Sequence, residues 1–120
     1  MTLKDIEELT MAQLQEDVED LEEYQPMLRQ YVNEGYERVM RHAQGLDWQG
    51  ESLTQEDDEP AFHSERLHGI LADWATFRIL GTGSAARQNR AEFFYARFMQ
   101  GMSRVDRAGS AQQIHNAYNR

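Results

Sequence analysis

The sequence predicts an all-α protein: a four-helix domain with a short extra N-terminal turn, a long acidic loop and a polar C-terminal tail. Three observations predict it. Apolar residues recur at spacings of three and four over long stretches, the period of a helix face. No segment alternates at period two. Both prolines and five of the eight glycines fall at the ends of those stretches, where they act as punctuation. One domain over residues 1–109, followed by a tail 110–120, suits a chain of 120 residues. Leu, Ile, Val and Phe supply only 23 of those residues, so the core is expected to be thin.

The N-terminal turn rests on Leu3, Ile6 and Leu9. From Met11 to Val39 the apolar positions are Met11, Leu14, Val18, Leu21, Leu28, Val32, Gly35 and Val39, one helical stripe. Thr10 with Gln13 forms a capping-box pattern at its start. Pro26 interrupts the helix without shifting the stripe, so the chain either kinks there or starts a second helix with proline in its first turn. Two helices, 11–24 and 26–44, are the preferred reading, with Gly45 as terminator. Residues 45–59 carry no helical period and end in Glu56-Asp57-Asp58-Glu59. A connection of that length is expected to be functional, mobile or both. The acidic run suits the N-terminus of a helix opened by Pro60, or else a contact surface or ion site. The third helix, 60–80, gathers Leu67, Ile70, Leu71, Trp74 and Phe77, and ends at Gly81-Thr82-Gly83. Ser84 caps the fourth, 85–107, whose core face holds Ala91, Phe94, Phe98, Met102 and Val105 before Gly109 stops it. Ser110–Arg120 has only Ile114 and Tyr118 as large apolar residues, and is too short for a stable helix alone.

Charge is divided unevenly. Residues 1–60 carry 17 acidic and four basic side chains, residues 61–120 four acidic and eight arginines. The net charge of −9 argues against duplex DNA as the main ligand. An acidic half and a basic half suit head-to-tail contact between copies, unless the asymmetry is only a solvated dipole. No apolar run approaches the ~18 residues of a membrane span, and the first residues lack the pattern of a signal peptide. With no cysteine there is no thiolate chemistry.

Catalytic patterns are weak. The histidines at 42, 63, 68 and 115 show no pair four apart, so they read as structural or surface residues, with no metal site. Gly81-Thr82-Gly83-Ser84 precedes a helix like a phosphate cradle, but follows a helix and lacks the Gly-Lys-Ser/Thr ending; a capped turn explains it. No nucleophile elbow is present. The expectation is a protein that is not an enzyme and takes no cofactor.

One pattern stands out in the fourth helix. Arg90, Arg97 and Arg104 recur every seven residues along a stripe about 100° from the core face, with Phe93 beside it. It reads as a solvated basic face or as a docking face for an acidic neighbour, with a phosphate-facing stripe a third reading. The candidate subunit interface is therefore Arg90, Phe93, Arg97 and Arg104 against Glu16, Asp17 and Asp20 of the acidic half. Trp48 in the loop and Ile114 and Tyr118 in the tail are candidates for docking other partners.

The succession Tyr24-Gln-Pro-Met-Leu-Arg-Gln-Tyr-Val-Asn-Glu-Gly-Tyr-Glu-Arg-Val, an acidic loop, Leu71-Ala-Asp-Trp-Ala-Thr-Phe and Gln88-Asn-Arg-Ala-Glu-Phe-Phe-Tyr-Ala-Arg-Phe resembles a known family. It is similar to the small head–tail connector proteins (adaptor, or head-completion) of tailed bacteriophages, over about residues 10–107. The resemblance implies a non-enzymatic helical protein in the virion neck, assembled in the bacterial cytoplasm. It would form a ring, commonly of twelve copies, under the portal protein, and meet a tail-completion or stopper protein. DNA would be passing cargo, and no membrane is involved. The alternative reading is a small acidic regulatory protein that binds a basic partner through residues 1–24.

Overall fold

The computed structural model describes residues 1–62 and 65–118, with side chains described as far as residue 105. The described residues contain four α-helices and two short 3-10 turns joined by irregular segments, with no strand among them. The all-α expectation holds, but several boundaries move, each for a physical reason.

The first helix, α1 (Leu3–Gln13), occupies the place of the expected N-terminal turn. Its capping box is Thr2 with Asp5: Thr2 Oγ1 accepts from the Asp5 amide at 3.2 Å, and Asp5 Oδ2 from the Thr2 amide at 3.0 Å. Thr10 is therefore no cap; it is buried inside α1, where its hydroxyl donates to the Ile6 carbonyl. The helix expected over 11–24 does not form. Gln15 adopts a left-handed φ of 61°, and Asp17 caps a 3-10 turn, Val18–Asp20. An unbroken helix there would stack Glu16 on Asp20 and Glu19 on Glu23 at like-charge spacing. The next helix, α2 (Leu21–Gln44), starts earlier than expected, so Pro26 lies inside it and interrupts only one backbone bond near the start. Glu22 and Glu23 occupy its favourable first turn. Gly45, at φ 114°, ends it as the sequence indicates.

Segment 45–69 is tied to the fold rather than loose. The Asn33 side chain pairs with Leu53 through both backbone groups, donating to its carbonyl at 2.8 Å and accepting from its amide at 2.7 Å. Leu53, Pro60 and Phe62 are buried. The acidic run does not cap a helix starting at Pro60. Its backbone caps α1 instead: the Leu3 and Lys4 amides donate to the carbonyls of Asp58 and Glu56. Two of the first-turn donors that a helix leaves orphaned are satisfied in this way.

The third helix is α3 (Ile70–Leu80), ten residues shorter at its start than the expected 60–80, and preceded by a 3-10 turn at Glu65–Leu67. It lies at the centre, with Ile70 through Thr76 all buried, as an element covered on every side must be. The turn Gly81–Ser84 leads to α4 (Ala85–Tyr118), where Ser84 Oγ accepts from the Arg87 amide. The core face of α4 is as expected, with Ala91, Phe94, Phe98 and Val105 buried and Met102 half-buried. Gly109 does not stop it. One glycine costs about 1 kcal/mol, and the alanines and glutamines that follow are good helix formers, so the backbone continues through most of the expected tail. At 1.5 Å per residue its 34 residues span about 51 Å, matching the longest dimension of the molecule, 51 Å.

Gly35 and Gly101 mark two close crossings. A methyl group at Gly35 would come within 2.9 Å of Trp74 Cβ, and one at Gly101 would press into Ile70 Cγ2. Gly69, by contrast, has only ordinary contact, with Leu9. The overpacking cost of about 1–3 kcal/mol should exceed the helix-propensity gain of about 1 kcal/mol. Gly35→Ala and Gly101→Ala should therefore both lower the denaturant midpoint; a rise in either would show room at that crossing.

Candidate functional site

Two of the three stripe arginines are engaged within the chain. Arg97 grips the buried Asp73 bidentately, Nη2 to Oδ1 at 2.8 Å and Nε to Oδ2 at 3.2 Å. Gln13 adds a third bond to Asp73 Oδ1 at 3.0 Å and accepts from the Thr76 hydroxyl at 2.6 Å. Arg90 donates to the Gln13 carbonyl at 3.0 Å, satisfying an orphan acceptor at the end of α1. This polar network joins α1, α3 and α4. Arg104 remains exposed and takes part in none of the ion pairs or hydrogen bonds of the described residues.

Burial pushes the Asp73 carboxyl above the usual aspartate value, while Arg97 and Gln13 draw it back. The folded chain thus holds this proton more readily than the unfolded chain, whose aspartate titrates near 3.8. Stability from this group grows as pH falls through the raised value toward 3.8. Asp5 and Asp58 are lowered, by amide donors from Thr2 and from Gln55 and Thr54 respectively. Their contribution is complete above 3.8 and fades as pH falls through their lowered values. Melting temperatures of wild type and Asp73→Asn should therefore diverge in favour of wild type between neutral pH and pH 4. A gap constant with pH would show that Asp73 titrates alike folded and unfolded.

Phe93 is 58% exposed on the outer flank of α4, edge-on to Phe94 and 5.5 Å beneath the Arg97 guanidinium. On the acidic side, Glu16, Asp17, Glu19, Asp20, Glu22 and Glu23 are all exposed. None takes part in the ion pairs of the described residues. Val18, half exposed, stands among them. Arg90 binds the last turn of α1, so this corner follows directly from the end of the arginine stripe near Gln13. Arg97 and Arg104 lie farther along α4.

Trp48 is half-buried and edge-on to Tyr36 at 5.5 Å, a packed position rather than a projecting one. The side chains of Ile114 and Tyr118 lie outside the described residues, as do His63 and the His115 side chain. His68 is buried against the Phe62 ring, with Nε2 at 3.0 Å from the Phe62 carbonyl. Thr82 donates its hydroxyl to the Ile79 carbonyl, and Gly83 its amide to Leu80, so Gly81–Ser84 forms a closed turn.

Two hollows lie on either flank of α4. A groove of about 520 Å³ between α2 and α4 has Trp74, Phe98, Tyr95 and Met99 in its walls and Leu46 on its lip. Arg38 lies over the Trp74 ring, whose Nε1 donates to Glu34. On the opposite flank a hollow of about 210 Å³ is lined by Leu9, Leu67 and Ile70 together with Arg66, Arg97 and Arg104. Of the residues that line this second hollow, Arg66 belongs to no repeating pattern in the sequence. No helix among the described residues is long and apolar enough to cross a membrane. The chain matches no protein-family model, no curated protein and no solved structure.

Proposed function

We propose that the chain is a structural neck protein of a tailed bacteriophage, an adaptor that forms a ring of about a dozen copies between the portal of the DNA-filled head and the tail. Its partners in this reading are further copies of itself, the portal protein and a tail-completion or stopper protein, with DNA passing through as cargo. It carries no catalysis. The observation that carries the reading is the presence of two differently charged surfaces on one helical body: an exposed acidic corner at 16–23, and exposed arginines that run along α4 away from it. Surfaces that differ and lie apart generate head-to-tail contacts, which close into rings when the rotation closes. The resemblance of the residue pattern to that of phage connectors supports the same reading. Native mass spectrometry over a range of concentrations, with and without portal rings, tests it. The expected result is one closed oligomer of fixed copy number, formed alone or on the portal. A chain that stays monomeric in both conditions overturns the reading. The unpaired carboxylates also favour a second reading, an acidic regulator of a basic partner. That partner would meet residues 16–23 rather than 1–24, because 3–13 are packed as α1; a stable one-to-one complex with a non-phage protein would support it.

A further inference from the structure

The hollow on the α1 flank of α4 is built for a small apolar group carried among carboxylates. Its apolar wall is Leu9, Leu67 and Ile70, and its polar side is Arg66, Arg104, Gln100 and the Arg97–Asp73 pair, in which the guanidinium covers the carboxylate. Among the described residues Arg97 pairs with Asp73, whereas Arg66 and Arg104 take part in no ion pair or hydrogen bond. Two unmatched guanidiniums around an apolar pocket attract an acidic visitor and orient it.

The chain itself displays such a visitor. Val18 sits on the 3-10 turn Val18–Asp20 with half its surface exposed, although a branched apolar side chain gains nothing from water. Asp17, Glu19 and Asp20 flank it in the chain, Asp17 caps the turn, and Val18 lies open to solvent beside Leu21, Glu19 and Glu22. Val18 is not among the residues that line the hollow. The corner follows the end of α1, where Arg90 is bound, and Arg104 lies fourteen residues farther along α4, a distance of about 20 Å.

We infer that the Val18 corner of one copy docks into the Arg66–Arg97–Arg104 hollow of a second copy, with Val18 against Leu67 and Ile70 and with Glu19 and Asp20 on the rim arginines. This inference rests on the neck-protein reading and specifies its subunit contact. Because plug and hollow lie on different parts of the surface, each copy uses one of each, and the contact propagates head to tail. The arginines orient the partner and the buried valine anchors it. Raising ionic strength should weaken the contact, since the rim pairs are exposed and screened beyond ~10 Å at 0.1 M salt.

A charge-swap experiment tests it. Arg66→Glu with Arg104→Glu reverses the hollow; Glu19→Lys with Asp20→Lys reverses the corner. All four positions are exposed, so each double variant should melt like wild type. In sedimentation equilibrium up to millimolar concentration, wild type should self-associate and each double variant alone should do so at least tenfold more weakly. An equimolar mixture of the two variants should recover association, because each reversed surface then meets its complement. A wild type that stays monomeric at millimolar concentration, variants that associate as wild type does, or a mixture that fails to recover each overturns the docking. In those cases the neck-protein reading rests on the portal experiment alone, so the two can fail separately.

Discussion

Replacing Arg29 with alanine should destabilise the fold by about 3–5 kcal/mol, the cost of leaving one partner of a buried ion pair behind. Glu7 on α1 is completely buried, and its carboxylate is held by Arg29 Nε at 3.1 Å and by Gln25 Nε2 at 3.3 Å, both from α2. Without the guanidinium the charge keeps a single neutral donor. Arg29 Nη1 also reaches the Thr54 carbonyl at 3.2 Å, so the same substitution loosens segment 45–69. Glu7→Leu with Arg29→Met removes both charges and should recover most of the loss, because apolar groups of similar volume fill the site without desolvated charge. Denaturant melting decides. A loss below about 1 kcal/mol for Arg29→Ala would mean that water reaches Glu7 readily and that the pair contributes little.

Phe98→Ala should cost about 3–5 kcal/mol, as expected for a large aromatic deleted from a closed core. Its ring is fully buried, 4.9 Å from the Trp74 ring, beside the two glycine-mediated crossings. Phe93→Ala, five residues earlier on the same helix, should change stability by less than about 0.5 kcal/mol, because its ring is mostly in solvent. Thermal melts of the two variants side by side give the contrast. Equal losses would put Phe93 in the core and remove it as an interaction residue.

Helical periodicity reported the parts of the fold where packing follows one face. Val32 and Val39 on α2, and Ala91, Phe94, Phe98 and Val105 on α4, are buried where the spacing places them. Gly35 was also legible, since glycine in an apolar stripe is costly unless a neighbour needs the space. The break after α1 was not. Met11 and Leu14 continue the stripe toward Val18, and neither Gly nor Pro marks the turn; Gln15 makes it with a left-handed backbone that few sequence signals indicate. The Thr2–Asp5 box has Asp where the usual pattern has Glu or Gln, whereas Thr10–Gln13 matches that pattern next to a longer apolar run. Proline before an amphipathic stretch suggested that helix three starts at residue 60, but Pro60 is itself buried in the segment that packs beneath Tyr36, whose hydroxyl accepts from the Ala61 amide at 3.0 Å.

The interaction residues divide in the same way. The arginine stripe was visible as a seven-residue repeat, but not the partners that claim it. Asp73 was the available signal: a carboxylate within the apolar run Ile70–Leu80 must find a donor if that run is buried. Arg97 meets that need, and Arg90 meets the open end of α1, which leaves Arg104 and Phe93 as the outward-facing members of the stripe. Arg66 belongs to no pattern and becomes meaningful only when the fold sets it beside Arg104.

The joining of α1 to residues 56 and 58 has a consequence for how the molecule opens. First-turn amides of a helix ordinarily exchange with solvent hydrogen quickly, since nothing in the helix holds them. Here the Leu3 and Lys4 amides are held at 2.7 and 3.1 Å by carbonyls more than fifty residues away. Their exchange must wait until segment 45–69 lifts, and that segment is itself held to α2 by Asn33 and Arg29. Helix and segment are therefore coupled in opening, and the start of the chain is protected by its middle.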